Sequence, residues 1–442
     1  MTKFNRKKWL RVGHYLIVLF LCVCTGFLLL NLVAATVPRS AIREKTLESA
    51  KYMAAHNLEF EHLRKDFDGS RVDRYADSIT LMITYNLDEN DTVNSSLWSA
   101  YTETGEQLTG LDLLEQTEND IEPNYEYLRY WHGSSVYLRP MLMYFNIQQI
   151  YVINAAIMVI LWIILIYRLV RHNETTFAVC FSIALMMVYI WVVPYALEYT
   201  WMFLLMFIAM HVCVSLVWRN RQKYLPMMFM LIGVAAVYLD FLTVETITLG
   251  MPLLFVIWNE RRLVTQKNRK EFIKRYIGYA LIWLAGFAVM WLGKWVLCSI
   301  AFGPQAWEFV GYHLEERSIQ NDWYGSTFEL IYNVLWRNFA QLMPTPLNNY
   351  GIVPIVALML TSVVLLVFYR KKSGKAKIGL FLWGAALIPI VRMLVLVNHA
   401  HIHFFFTYRA LSVFLLAMML LVVNAVNWKK IGKSIKQYLP TK

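Results

Sequence analysis

Charge is what this chain has least of. Asp, Glu, Lys and Arg make up 16% of its 442 residues, against about a quarter in an ordinary soluble domain, while 58% are hydrophobic and mean hydropathy is +0.43. One water-soluble core cannot absorb that apolar excess, because the buried fraction rises only slowly with chain size. Lipid is the solvent that the composition requires. Cysteine is also scarce. Cys22, Cys24, Cys180, Cys213 and Cys298 lie in or at the ends of apolar stretches, and the long polar segment 38–148 has none. A disulfide framework and a thiolate metal site are therefore excluded there, and the five read as small packing residues. There is no Walker loop, no GxGxxG after a strand, no HExxH and no CxxC pair, so ATPase, dinucleotide-enzyme and zinc-peptidase readings lose their usual support. No repeat of 20–50 residues and no low-complexity tract stands out. The net charge of +12 is not a nucleic-acid signal, since the basic residues form short runs between apolar stretches and no basic stripe carries interleaved aromatics. No nucleic-acid partner is expected.

What the chain does have is apolar runs of membrane length. The first, about Val12–Val37, follows Lys3, Arg6, Lys7, Lys8 and Arg11. It is longer than the roughly 7–15 residues of a signal-peptide core, so it reads as an uncleaved first span. Further spans are expected at about 149–167, 176–194, 200–218, 277–297, 351–369, 378–397 and 409–427, plus a pair inside 225–258. That pair has 34 residues for two helices, whereas a full crossing takes about 20 each. It predicts a hairpin of short helices with Asp240 and Glu245 near a sunken tip. With the N-terminus inside, the alternate segments hold 5, 2, 3, 7, 5 and 5 basic residues, 27 of the 42, but only three acids, Glu174, Glu260 and Glu271. This positive-inside bias predicts ten spans and two cytoplasmic termini. The expected layout is a cytoplasmic start and first span (1–37), an extracytoplasmic segment with interfacial helices (38–148), spans 2–7 (149–297), an extracytoplasmic loop (298–350), and spans 8–10 with a basic cytoplasmic tail (351–442). In the first external segment, Ile42, Leu47, Ala50, Met53, Ala54 and Leu58 have helical spacing up to Leu63. Such an amphipathic helix lies in the interface or packs on neighbouring spans.

Ionisable residues at membrane depth are costly and are functional candidates by default. Asp73 and Asp77, spaced i,i+4, share one helix face and suit a divalent cation (Mg or Mn) or a general base; the plainer reading is a solvated face with a local Asp–Arg contact. Arg129, His132 and Arg139 sit among Tyr127, Tyr130 and Trp131 just before the second span. Ring stacking and bidentate arginine contacts suit a sugar and a phosphate, against an aromatic belt with snorkelling arginines. Asp240 and Glu245 at the hairpin tip need pairing, hydration or a metal, and Asp240 with Thr243 also suits helix capping. His399, His401 and His403 precede Tyr408-Arg409; only His399 and His403 share a helical face, and a phosphate pocket built from Arg409 and these histidines is favoured over a metal. Tyr312–Arg317 and Asp322–Gly325 read as a loop that closes over such a pocket.

This layout resembles the GT-C superfamily of polytopic membrane glycosyltransferases across nearly the full chain: a first span, a long external segment with an early acidic motif, many further spans and a late external loop. In detail it is similar to uncharacterised bacterial multi-span proteins of that type, judging by Asp240-Phe241-Leu242-Thr243 and Tyr408-Arg409. The resemblance implies an all-α, polytopic transmembrane helical bundle in the plasma membrane. It also implies transfer of a sugar from a polyprenyl-phosphate donor to a glycan or lipid acceptor on the outer face. It makes Asp73 the catalytic acidic residue, with Asp77 the alternative, and Arg409 with His399–His403 the site of the carrier phosphate. One departure is that Asp73 stands some 35 residues beyond the first span, farther than the superfamily's first acidic residue usually does. Rival readings are a flippase for a lipid-linked saccharide, which would line a path across the membrane with such groups, and a saccharide polymerase or ligase.

Overall fold

Apolar runs free of breaks become long helices, and each break in such a run ends one. A computed structural model describes residues 6–56, 59–65, 68–105, 108–318, 324–343, 352–369 and 378–431. The first apolar run is α1 (Arg6–Ala35). Behind it come α2 (Arg39–His56), strands β1 (Phe60–His62) and β2 (Arg71–Asp73), and helices α3 (Arg74–Tyr85), α4 (Thr92–Trp98), α5 (Thr109–Asn119) and α6 (Ser135–Met141). Then follow α7 (Ile147–Arg171), α8 (Thr175–Met187), α9 (Leu197–Trp218), α10 (Leu225–Leu239), α11 (Thr246–Asn259) and α12 (Arg269–Phe302). The rest are α13 (Gln305–Ser318), α14 (Thr327–Ala340), α15 (Ile352–Phe368), α16 (Gly379–Val395), α17 (Val397–Ile402), α18 (Phe404–Thr407) and α19 (Leu411–Ala425).

The fold is all-α; among the described residues its sheet content is the antiparallel pair β1–β2. Every one of the ten expected stretches holds a helix, but they are unequal. Among the described residues, five helices are long and apolar enough to cross a bilayer: α7, α9, α10 with its leading turn, α12, and α18 running into α19. The α1–α2 pair, bent by 84°, adds a sixth if it is one broken span. In the 176–194 run the α-helix ends at Met187, Tyr189 takes a left-handed φ of 54°, and Val193–Tyr195 form a short 3-10 turn. The 225–258 run divides as expected into helices of 15 and 14 residues.

These helices belong to a membrane protein. On α7, Val152, Val159, Ile160, Ile163, Ile164 and Tyr167 all point outward, an apolar surface that water-soluble proteins do not leave bare. Inside the bundle, α9 is buried on almost every side against α10, α11 and α7. Where α10 crosses α12, small residues let the backbones approach closely. A Cβ on Gly233 would meet the Trp283 carbonyl, and one on Gly286 the Met230 carbonyl. Where basic residues concentrate, two of the three acids are neutralised locally, Glu174 by Arg261 at 3.1 Å and Glu260 by Arg275 at 2.7 Å.

The first polar segment folds onto one end of the bundle. The apolar face of α2 (Ile42, Ala50, Met53) is buried against α5 and α3, so packing rather than the interface takes that face. The helix ends at His56, and Leu58 lies outside the described residues. Phe60 pairs with Asp73 across β1–β2, which delivers Asp73 to the head of α3.

Candidate functional site

At that end of the bundle lies a cavity of about 340 Å³, walled by α3, the 125–132 loop, the head of α9, α13 and α17. Asp73, Arg129, His132, His399 and His403 line it; Asp77, Arg139, Asp240, Glu245 and Arg409 do not.

Asp73 is the N-cap of α3. Its backbone is extended and its Oδ1 accepts from the Ala76 N–H at 2.9 Å. Only 4% of it is exposed. Burial pushes its carboxyl up to about 7; the Ala76 hydrogen bond opposes this, and the nearby Asp77 charge adds to it. Asp77, one turn on, faces the other way. Its oxygens take the Tyr151 hydroxyl and the Leu197 N–H (2.7 Å), with the Arg74 guanidinium at 3.6 Å. It ties α3 to α7 and α9, and burial raises its carboxyl to about 6. Both carboxylate oxygens of Asp77 are thus engaged by neighbours, whereas Asp73 faces the cavity. Among the described residues no group of three His, Cys, Asp or Glu gathers around one point.

The 127–134 loop is buried rather than belted. Tyr130 and Trp131 are 2% exposed, Tyr130 packs edge-on against Phe241 and Trp291, and the Gly133 N–H donates to the Tyr238 carbonyl at 2.9 Å. His132 sits at a left-handed φ of 51°. Its Nε2 is 3.2 Å from the Tyr127 carbonyl, and its buried Nδ1 has no hydrogen-bond partner. The Arg129 guanidinium stacks 4.1 Å from the Tyr127 ring centre and donates to His313 Nε2 at 2.8 Å, while His313 Nδ1 meets Glu316 at 2.8 Å. Arg317 donates to His403 Nε2 at 3.2 Å. The segment expected to close over the pocket is thus the helix α13, which supplies His313, Glu316 and Arg317 to the wall. Asp322 and Trp323 lie outside the described residues. Burial, reinforced by neighbouring arginines, holds His399 and His403 well below the usual histidine range, so both imidazoles are neutral at pH 7. The permanent positive charge on this wall belongs to Arg129 and Arg317.

The remaining candidates lie outside this cavity, each engaged by neighbouring groups. Arg139 donates to the carbonyls of Val37 (2.9 Å from Nε) and Thr84 (2.6 Å from Nη1), joining α1 to α3. Arg409 donates to the carbonyls of Phe405 (2.7 Å) and Gly69 (3.0 Å). The Tyr408 hydroxyl donates to the same Gly69 carbonyl at 3.0 Å, so this pair clamps the turn that leads through β2 into Asp73. Asp240 caps the hairpin turn through the Thr243 N–H (3.0 Å) and hydroxyl. Glu245 pairs with Arg392 at 3.0 Å.

Sequence reasoning missed Glu198 and the tyrosines Tyr75, Tyr101 and Tyr125. Glu198 is 7% exposed and lines the cavity, and its Oε2 has no hydrogen-bond partner. Its signal was available, as an acid at the head of an apolar run.

Beside the cavity runs an apolar groove of about 810 Å³ between α11, α12 and α16, walled by Leu249, Leu284, Phe287, Ala288, Leu387 and Val391 among others. Arg129, Tyr130, His313 and Arg317 line both spaces, so the two adjoin at the arginines. The chain matches no protein-family model, no curated protein and no solved structure.

Proposed function

We propose that this chain is a membrane glycosyltransferase of the GT-C type, which moves a sugar from a polyprenyl-phosphate donor to a glycan or lipid acceptor outside the plasma membrane. The observation that carries the reading is the junction between the polar cavity and the apolar groove, with Arg129 and Arg317 on the shared wall. A polyprenyl-phosphate sugar has the same three parts in the same order: an apolar chain, a phosphate and a polar ring. The isoprenoid lies along α11, α12 and α16, the phosphate meets the two guanidiniums, and the sugar enters among Tyr75, Tyr101, Tyr127 and Glu198, where aromatic faces and a carboxyl suit its rings and hydroxyls. In this reading the ten helical stretches cross the membrane, some as short or broken helices. Both termini are cytoplasmic and 38–148 is external, as the bias of basic residues supports.

Asp73 accepts the proton of the acceptor hydroxyl as that oxygen attacks the anomeric carbon. The bond from that carbon to the phosphate oxygen breaks, and polyprenyl phosphate leaves with the electron pair. Arg129 and Arg317, already fixed by His313 and His403, meet the growing phosphate charge without reorganising. The test is sugar transfer by the purified protein in liposomes, supplied with radiolabelled polyprenyl-phosphate sugars. Transfer that requires the lipid donor supports the reading. Energy-independent movement of the intact donor across the bilayer, with no bond broken, would replace it with a flippase.

A further inference from the structure

The far end of the bundle carries a second polar pocket that the proposed transfer does not use. Seventeen residues of α9 separate Glu198 from Ser215, about 25 Å at the helical rise. There Arg168, His211, Ser215, Arg219 and Arg221 surround a space of about 260 Å³. Arg168 is held in place by bonds to His211 Nδ1 (2.9 Å) and Ser215 Oγ (2.7 Å). Arg219 and Arg221 are exposed. None of the three arginines forms an ion pair among the described residues, whereas Arg261 and Arg275 at the same basic end do.

This pocket continues into a groove of about 530 Å³ between α1, α9 and α10, and Val212, Leu216 and Arg221 line both. Apart from Arg221 and Tyr224, the groove wall is apolar. Along α10 it runs from Tyr224 to Ala235, eleven residues or about 16 Å. That is close to half of the roughly 30 Å hydrocarbon core of a bilayer. Three arginines without acidic partners, at the mouth of an apolar channel one leaflet long, match one kind of molecule in both charge and length.

We propose that Arg168, Arg219 and Arg221 hold the phosphate headgroup of an anionic phospholipid from the leaflet on the basic side, with an acyl chain in the groove between α1, α9 and α10. A bound lipid there fills the gap between three helices and offsets part of the charge of the arginines. This site is independent of the glycosyltransferase reading, because no residue is shared with the cavity or groove at the other end.

The experiment is native mass spectrometry of the full-length protein released from neutral detergent, after equilibration with phosphatidylglycerol or phosphatidylcholine. Phosphatidylglycerol is expected to be retained preferentially. Each arginine near the membrane surface contributes roughly fivefold to binding of anionic lipid, so R219Q/R221Q lowers its retention about 25-fold. Both residues are exposed, so this variant keeps its fold, checked by circular dichroism. Leu231→Trp, which fills the groove without touching the charge, also lowers retention. Equal retention of the two lipids, or retention unchanged in R219Q/R221Q, overturns the proposal. Displacement of phosphatidylglycerol by millimolar inorganic phosphate, with no effect of Leu231→Trp, overturns it too, since it would mean a site for free anions.

Discussion

Asp73→Asn separates chemistry from architecture more cleanly than any other substitution in this protein. The cap on α3 uses Oδ1 of Asp73 as acceptor from the Ala76 N–H, and asparagine offers an equivalent oxygen, so the helix keeps its N-cap. The proton-accepting role proposed for this carboxyl is lost completely. Removing a general base costs typically 10²- to 10⁴-fold in rate, or about 3–5 kcal/mol of barrier, while the melting temperature does not fall below that of the wild type. Asp73→Ala is the control: it loses the cap as well, about 1 kcal/mol of stability. The pH dependence gives a second reading of the same group. With its carboxyl raised to about 7, wild-type transfer climbs as pH rises through that value, and the asparagine variant lacks the rise. Stability moves oppositely. An ordinary aspartate in the unfolded chain titrates near 3.9, so between that pH and about 7 the native state holds more protons than the unfolded state. The stability this group contributes is full at low pH and declines as pH approaches 7. Initial rates of sugar transfer from pH 5 to 9, beside melting curves at the same values, measure both. Wild-type rates in Asp73→Asn, or a wild-type profile flat across that range, would refute the assignment of Asp73 as base.

Three further outcomes follow from the same geometry. Arg129→Gln and Arg317→Gln each remove a guanidinium from the wall proposed to meet the donor phosphate, a loss of about 1.5–3 kcal/mol, and are expected to raise the donor KM tenfold or more in donor titrations. Ala288→Trp, in the apolar groove, should weaken use of a long-chain donor while sparing a short-chain analogue, a difference read by comparing KM for the two. Arg409→Gln abandons the Gly69 carbonyl and is expected to destabilise the fold by about 2–4 kcal/mol, seen as a lower melting temperature. Because Gly69 leads through β2 to Asp73, kcat should fall with donor KM unchanged; a raised KM alone would instead place Arg409 on the phosphate.

Much of the helix inventory was legible beforehand, because hydropathy acts on each stretch independently of its neighbours. The short hairpin at 225–258 was countable from 34 residues, and α10 and α11 have the lengths that the count allowed. Asp240 was half legible: its Asp-x-x-Thr bonds form within its own turn, but they close the hairpin turn rather than cap α11, whose N-cap position is Glu245. Helix ends were less legible. The 176–194 run is apolar throughout, yet it leaves the α-helix at Met187, and a left-handed Tyr189 turns the chain there.

The candidate site divides along the same line. Composition and loop charge alone established a membrane chain, its helical class and the residues rich enough in chemistry to consider. They could not tell Asp73 from Asp77 or Arg129 from Arg409, since a side chain's partners come from elsewhere in the chain. Asp77 is claimed by Tyr151 and Leu197, 74 and 120 residues away, and Arg409 by a carbonyl 340 residues away. Glu198 was visible as an acid at the head of an apolar run, but only folding brought its unpartnered oxygen to the wall that holds Asp73. Burial is a property of a segment and can be read along the chain; which groups satisfy one another inside it is a property of the packed whole, and only the tertiary fold decided it.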